Sequence, residues 1–196
     1  MKTPSMKTEN NIAFKEWATV VNALAERKQI LILRKGGIQE ESGEFQMECG
    51  EFFLFPTYEH QNRADLKSEA HADLELAIRT KPTSDLLPIQ YYVKTESVIQ
   101  IADETELERL RSYHIWSDEA VKKRFHYGRQ KELFVIACRI FKLPSPHVIK
   151  VTPEYAGCKS WVGLKENLST QGAKPVLSEV AFQNQWALIS SSFVKS

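Results

Sequence analysis

Apolar positions divide the chain before anything else does. From Ile12 to Arg27, Phe14, Trp17, Val21 and Leu24 recur at steps of three and four, with Ala13, Ala18 and Ala25 beside them. That spacing predicts a helix with one buried face. In QILILRKGG, residues Ile30 to Leu33 form a continuous apolar run ending at Gly36 and Gly37, the pattern of a buried strand entering a turn. EFQMECGEFFLF predicts two strand segments, with Gly50 at a bulge or tight turn between them. Leu66, Ala70, Leu74, Ala77 and Ile78 then keep helical spacing among charged neighbours, so one face of that helix is buried and the other wet. KPTSDLLP reads as a loop and IQYYVKTESVIQI as a strand.

Asp103 with Glu106 resembles a capping box opening a short helix through Leu107 and Leu110. Ser117 is a candidate N-cap for a second short helix, with Asp118 and Glu119 in its first turn and a stop at Gly128. LFVIACRIF predicts a buried strand that ends at LPSPH, because proline has no N–H to give to a ladder. VIKV follows as a separate strand, TPEYAGCKSW as a loop, STQGAKP as a linker, and AFQNQWALISSSFV as a last strand or helix. Strands and helices do not alternate regularly, which points to the α+β class. The expected fold is a mixed sheet, flat or curled toward a small barrel, with an N-terminal helix and several packed helices. Its core is expected to include Trp17, Leu31, Leu33, Phe53, Phe55, Val135 and Ile140.

A length of 196 residues with 42% hydrophobic content fits one sizeable core. Residues 1–10 are expected to be a loose terminus, 11–165 a single domain, and 166–196 an extension packed on it. Lys and Arg number 26 against 25 Asp and Glu, so no global field draws the chain to nucleic acid or membrane and any such attraction must be local. No apolar run approaches the roughly 18 residues of a membrane span, and the opening MKTPSMKTENN lacks the apolar stretch of a signal peptide. A cytoplasmic location is the expectation. Cys49, Cys138 and Cys158 form no C-x-x-C pair and are odd in number, which fits a reducing compartment better than a disulfide framework or a zinc ribbon.

Several long segments occur in a recognisable order. AFKEWATVVNALAERKQILILRKGGIQE, EFFLFPTYEHQ, YHIWSDEAVKKRF, LPSPH and PEYAGCKSW, spread over residues 12 to 165, resemble the bacterial family known as domain of unknown function 1802. The resemblance implies an intracellular bacterial protein of one domain. It implies no activity and carries over no catalytic or binding residue, and the stretch beyond Leu164 lies outside it.

Four constellations carry candidate chemistry. In LRKGG, Arg34 and Lys35 precede two glycines whose backbone can approach a phosphate, although the motif is not a P-loop and also reads as a turn with solvated cations. In EFFLFPTYEHQ a core strand delivers Tyr58 and His60 to its end; the competing reading has Thr57 capping a following helix and Glu59 complementing its dipole. In KKRFHYGRQK, Lys122, Lys123 and Arg124 interleave with Phe125 and Tyr127, a composition suited to phosphate contact and base stacking, or to a solvated helical face over a buried Phe125. In YAGCKSW, Lys159 beside Cys158 would lower a thiol pKa, while a structural cysteine under Trp161 explains the same residues.

No His or Cys pair has metal-ligand spacing, Glu44, Glu48 and Glu51 read more simply as a wet strand face, and no motif names a cofactor. The combined expectation is recognition, with processing as an extension, of a phosphate-bearing ligand such as nucleic acid or a nucleotide. Arg34, Lys35, Lys122, Lys123, Arg124 and Lys159 would hold phosphate, Tyr58 and Trp161 would stack, and His60 would transfer protons. The rivals are a small-molecule enzyme using Cys158 with a histidine such as His60, and a structural or partner-binding domain without a pocket. The leading reading requires segments near Arg34, His60 and Trp161 to share one concave surface.

Overall fold

The structure is a computed structural model that describes residues 6–35, 50–157 and 159–193. The Gly36–Gly37 turn, Glu44, Glu48, the strand segment EFQMEC and Cys158 lie outside the described residues. The strands are β1 (Glu9–Trp17), β2 (Leu31–Arg34), β3 (Glu51–Thr57), β4 (Leu86–Ile101), β5 (Leu133–Lys150), β6 (Trp161–Ser169) and β7 (Lys174–Pro175). They form one mixed sheet in the order β2-β5-β4-β3-β1-β6, with β7 added to β5. β1 and β3 run parallel and the other pairs antiparallel. The α-helices are α1 (Ala18–Ala25), α2 (His71–Arg79), α3 (Asp118–His126) and α4 (Glu179–Ser191). The fold is α+β.

Among the described residues the sheet is not closed, with β2 and β6 at its ends. It nevertheless curls strongly. Arg34 of β2 lies against Phe14, Lys15 and Glu16 of β1, four places away in the hydrogen-bonding order. In a flat sheet that separation would be about 19 Å at ~4.8 Å per strand, beyond the reach of an arginine.

The helix expected over residues 12 to 27 is corrected: its first half is β1 and only Ala18–Ala25 is helical. β1 sits between β3 and β6 and is covered on both faces, so Ala13 packs into one apolar cluster with Phe53 and Phe55 while Phe14 packs into the other with Phe52 and Leu54. Burial on both faces erases the alternation that marks a half-exposed strand. The helical spacing of Phe14, Trp17, Val21 and Leu24 then arises by coincidence across a strand–helix joint.

β5 also runs on through LPSPH rather than ending there. The register with β4 jumps from Tyr91↔Lys142 to Ile89↔His147, so residues 143–146 bulge out and Pro144 and Pro146 need not donate to the ladder. β4 accordingly begins at Leu86, inside the expected loop. Ser117 caps α3 by accepting the Ala120 N–H at 3.3 Å, and Gly128 after its end has φ 76°. Asp103 accepts the Thr105 N–H at 2.9 Å and opens a 3-10 segment, Glu104–Tyr113, with Leu107 and Leu110 buried. The last apolar stretch is α4, which sets Phe182 and Ile189 into the main core. Leu31, Leu33, Phe53, Phe55, Val135 and Ile140 are buried as expected, whereas Trp17 is half-buried. No helix among the described residues is long and apolar enough to cross a membrane.

Candidate functional site

Because β1 and β3 are parallel neighbours, their C-terminal ends arrive together, with Glu16 opposite Pro56 and Trp17 opposite Thr57. The curl of the sheet brings the end of β2, with Arg34, to the same place, and α3 adds Arg124. These elements, the start of β4 and two loops, residues 81–85 and the described residues of 151–160, line a cleft of about 640 Å³.

Glu16 is the buried acid of the floor, at 4% exposure. Its Oε1 accepts the Trp17 N–H at 2.8 Å and its Oε2 lies 3.5 Å from Arg34 Nη2. Arg34 also donates to the Lys15 carbonyl and sits 4.3 Å above the Phe14 ring. Arg124 lies flat on Trp116, 3.4 Å from the ring centroid. Burial, with the nearby Arg34 charge adding to it and Glu16 opposing it, pushes the Arg124 pKa down to about 10, which leaves it cationic at neutral pH. Arg34 Nε and Arg124 Nη1 are both buried with no hydrogen-bond partner. Two guanidiniums thus line the floor against one buried carboxylate, which contacts Arg34 and acts on Arg124 only at longer range, and the positive charge left over suits an anion.

The end of β3 builds one wall. Thr57 belongs to the strand and donates through Oγ1 to the Glu16 carbonyl at 3.1 Å, so it is not the cap of a following helix. The cap of the next 3-10 turn is Asn62, which accepts the Ala64 N–H at 3.0 Å. Gln61 instead caps α1, its Oε1 accepting from Thr19 N at 3.2 Å and Thr19 Oγ1 at 2.7 Å. Glu59 pairs with Lys81 at 2.6 Å across the rim. Tyr58 is half-buried, and that burial raises its pKa against the lowering effect of Lys81. His60 is exposed at the rim with φ 59°, a left-handed backbone uncommon outside glycine. On the opposite wall, Lys15 Nζ donates to the carbonyls of Tyr155 and Gly157, tying the 151–160 loop to β1, and Tyr155 meets Phe55 edge-on at 5.9 Å.

Of the residues singled out from sequence, Arg34, Tyr58, His60, Arg124 and Lys159 line this cleft. The others lie elsewhere. Lys35 spends its ammonium on the carbonyls of Phe125, Gln130 and Glu132, which fastens the end of β2 to the chain leaving α3, and burial lowers its pKa. Lys122 and Lys123 are exposed on α3 and do not line the cleft. Trp161 is half-buried, does not line the cleft and meets Phe14 at 4.7 Å and Phe52 at 5.1 Å in T-shaped contacts. Of the described histidines, His60 lines the cleft, while His126 pairs with Glu104 at 2.9 Å and His147 meets the Ser169 carbonyl at 2.8 Å. His114 is buried, and that burial lowers its pKa to about 4. Lys15, Glu16 and Trp17 were missed, and the signal lay in the charged pair of AFKEW once that segment is read as a strand end. Among the described residues no group of three or more His, Cys, Asp and Glu could hold a metal ion.

The model of the family described as domain of unknown function (DUF1802) matches residues 13–187. The chain belongs to that family. The match runs past Leu164 into α4, so the DUF1802 pattern covers β6 and β7 as well as the cleft. No curated protein matches the sequence at a significant level. Among solved structures, ASCH from Zymomonas mobilis is similar at TM-score 0.45 and 11% identity, over 79% of this chain and 87% of that one. Two point mutants of the same protein give TM-scores of 0.44 and 0.43 at 11% and 10% identity, covering 79% and 93% of this chain and 90% and 99% of theirs. Likeness at that level assigns no activity to the DUF1802 chain.

Proposed function

We propose that the cleft binds a phosphate-bearing ligand, a nucleotide or a segment of single-stranded nucleic acid. The observation that carries this reading is the floor itself: Arg34 and Arg124 both line it against a single buried carboxylate, Glu16, which pairs with Arg34 alone. Guanidinium groups fixed by stacking on Phe14 and Trp116 are pre-oriented donors, and phosphate oxygens are the acceptors that suit them. Lys159 adds a cation at the rim. Trp17 and Tyr58, both half-buried in the lining, supply the aromatic faces that a base would stack on. His60 stands at the rim as the proton-transfer group if the bound ligand is processed.

The test is fluorescence anisotropy with a labelled single-stranded oligonucleotide at low ionic strength. Binding should weaken steeply as salt rises. Lys159→Ala should weaken it several-fold, whereas the double variant Lys122→Ala, Lys123→Ala on the outer face of α3 should leave the cleft contact unchanged. Salt-independent binding, or loss of binding in the α3 double variant alone, would refute the assignment.

A further inference from the structure

We infer that the phosphate taken by this cleft is a terminal monoester, the phosphorylated end of a strand or a mononucleotide, rather than an internal diester. The inference rests on the phosphate reading above and refines it. Among the described residues the lining carries the cations Lys15, Arg34, Lys81, Arg124 and Lys159 against the carboxylates of Glu16, Glu59 and Asp85, a formal surplus of two before any histidine charge is counted. At the rim the charges already balance in pairs, Lys81 with Glu59 at 2.6 Å and Asp85 with Lys150 at 3.4 Å. The floor then keeps one net positive charge, Arg34 and Arg124 against Glu16, with Arg34 3.5 Å from Glu16 and Arg124 in no ion pair among the described residues, and Lys159 adds a second at the rim.

Charges held out of water need matching charge, and the two phosphate classes differ in how much they bring. A diester linkage carries one negative charge, whereas a monoester with a second pKa of about 6 carries close to two at neutral pH. A monoester also presents three equivalent acceptor oxygens in place of two. Arg34 and Arg124 approach from different elements, β2 and α3, so an anion with oxygens on several sides meets both. Volume agrees: about 640 Å³ is the scale of a site for one small ligand. One nucleotide with its base toward Trp17 and Tyr58 fits that space, and a duplex does not.

The experiment compares trinucleotides of one sequence carrying a 5′-phosphate, a 3′-phosphate or hydroxyls at both ends, by anisotropy competition against the wild-type chain. At least one phosphorylated end should bind about tenfold or more tightly than the hydroxyl-ended strand, and which end is preferred fixes the polarity. Equal, salt-dependent binding of all three would overturn this inference and leave the phosphate reading standing. No binding by any of them at low salt would overturn both.

Discussion

Replacing Glu16 by Gln removes the buried carboxylate at the cleft floor while keeping an acceptor for the Trp17 N–H. Two consequences of opposite sign follow. In the unliganded protein, Arg34 loses its ion-pair partner and Arg124 loses a nearby negative charge. Breaking one partner of a fully buried pair costs about 3–5 kcal/mol, but Arg34 keeps 23% side-chain exposure and the contact is 3.5 Å long, so about 2 kcal/mol is the scale here. In the liganded protein the same carboxylate repels the phosphate. A unit charge about 6 Å away at an effective dielectric near 20 contributes about 2.8 kcal/mol, and screening together with relaxation halves it to about 1.4 kcal/mol, or about tenfold in affinity. Glu16→Gln should therefore lower the midpoint of urea denaturation and at the same time tighten oligonucleotide binding in anisotropy titrations at low salt. Unchanged stability, or weaker binding in the folded variant, would refute the charge balance drawn for the floor.

Gln61→Ala removes the side chain that caps α1 and should cost about 1 kcal/mol, read as a lowered Tm, with a smaller loss in Gln61→Glu, which keeps an acceptor. His114 has its pKa lowered from 6.5 to about 4 by burial, so the unfolded chain binds the extra proton first as the pH falls. Its contribution is fully present above about pH 6.5, is lost progressively down to about pH 4, and amounts to about 3 kcal/mol; denaturation across that window should be less pH-dependent in His114→Gln than in the wild type. Cys138 is fully buried and its thiol pKa is pushed up, so a thiol reagent at neutral pH should label it only as the protein unfolds, and labelling at the rate of an exposed thiol would contradict the packing of β5.

Much of the cleft was legible because it is assembled from strand ends and helix termini whose local signals are strong. The apolar run before Pro56 marks β3, Ser117 marks the start of α3, and the residues that follow such signals, Tyr58, His60 and Arg124, are delivered to one place. The signals failed where burial is two-sided. β1 shows no alternation because both its faces are covered, so Glu16 was read as a residue of a helix and its pairing with Arg34 could not be seen. Proline punctuation misled at LPSPH because a bulge absorbs both prolines without breaking β5. Lys35 and Trp161 carry the right chemistry for a site, yet tertiary contacts spend them elsewhere: three backbone carbonyls take the ammonium, and two phenylalanine rings take the indole. Local sequence fixes what a side chain can do, and only the curl of the sheet decides which side chains face one another.

A crystal structure of the protein with a 5′-phosphorylated dinucleotide tests the central claim most directly. The account predicts phosphate oxygens within hydrogen-bond distance of both Arg34 and Arg124, with a base against Trp17 or Tyr58. A ligand seated on the outer face of α3 at Lys122 and Lys123, with the floor between the two arginines left to water, would contradict it.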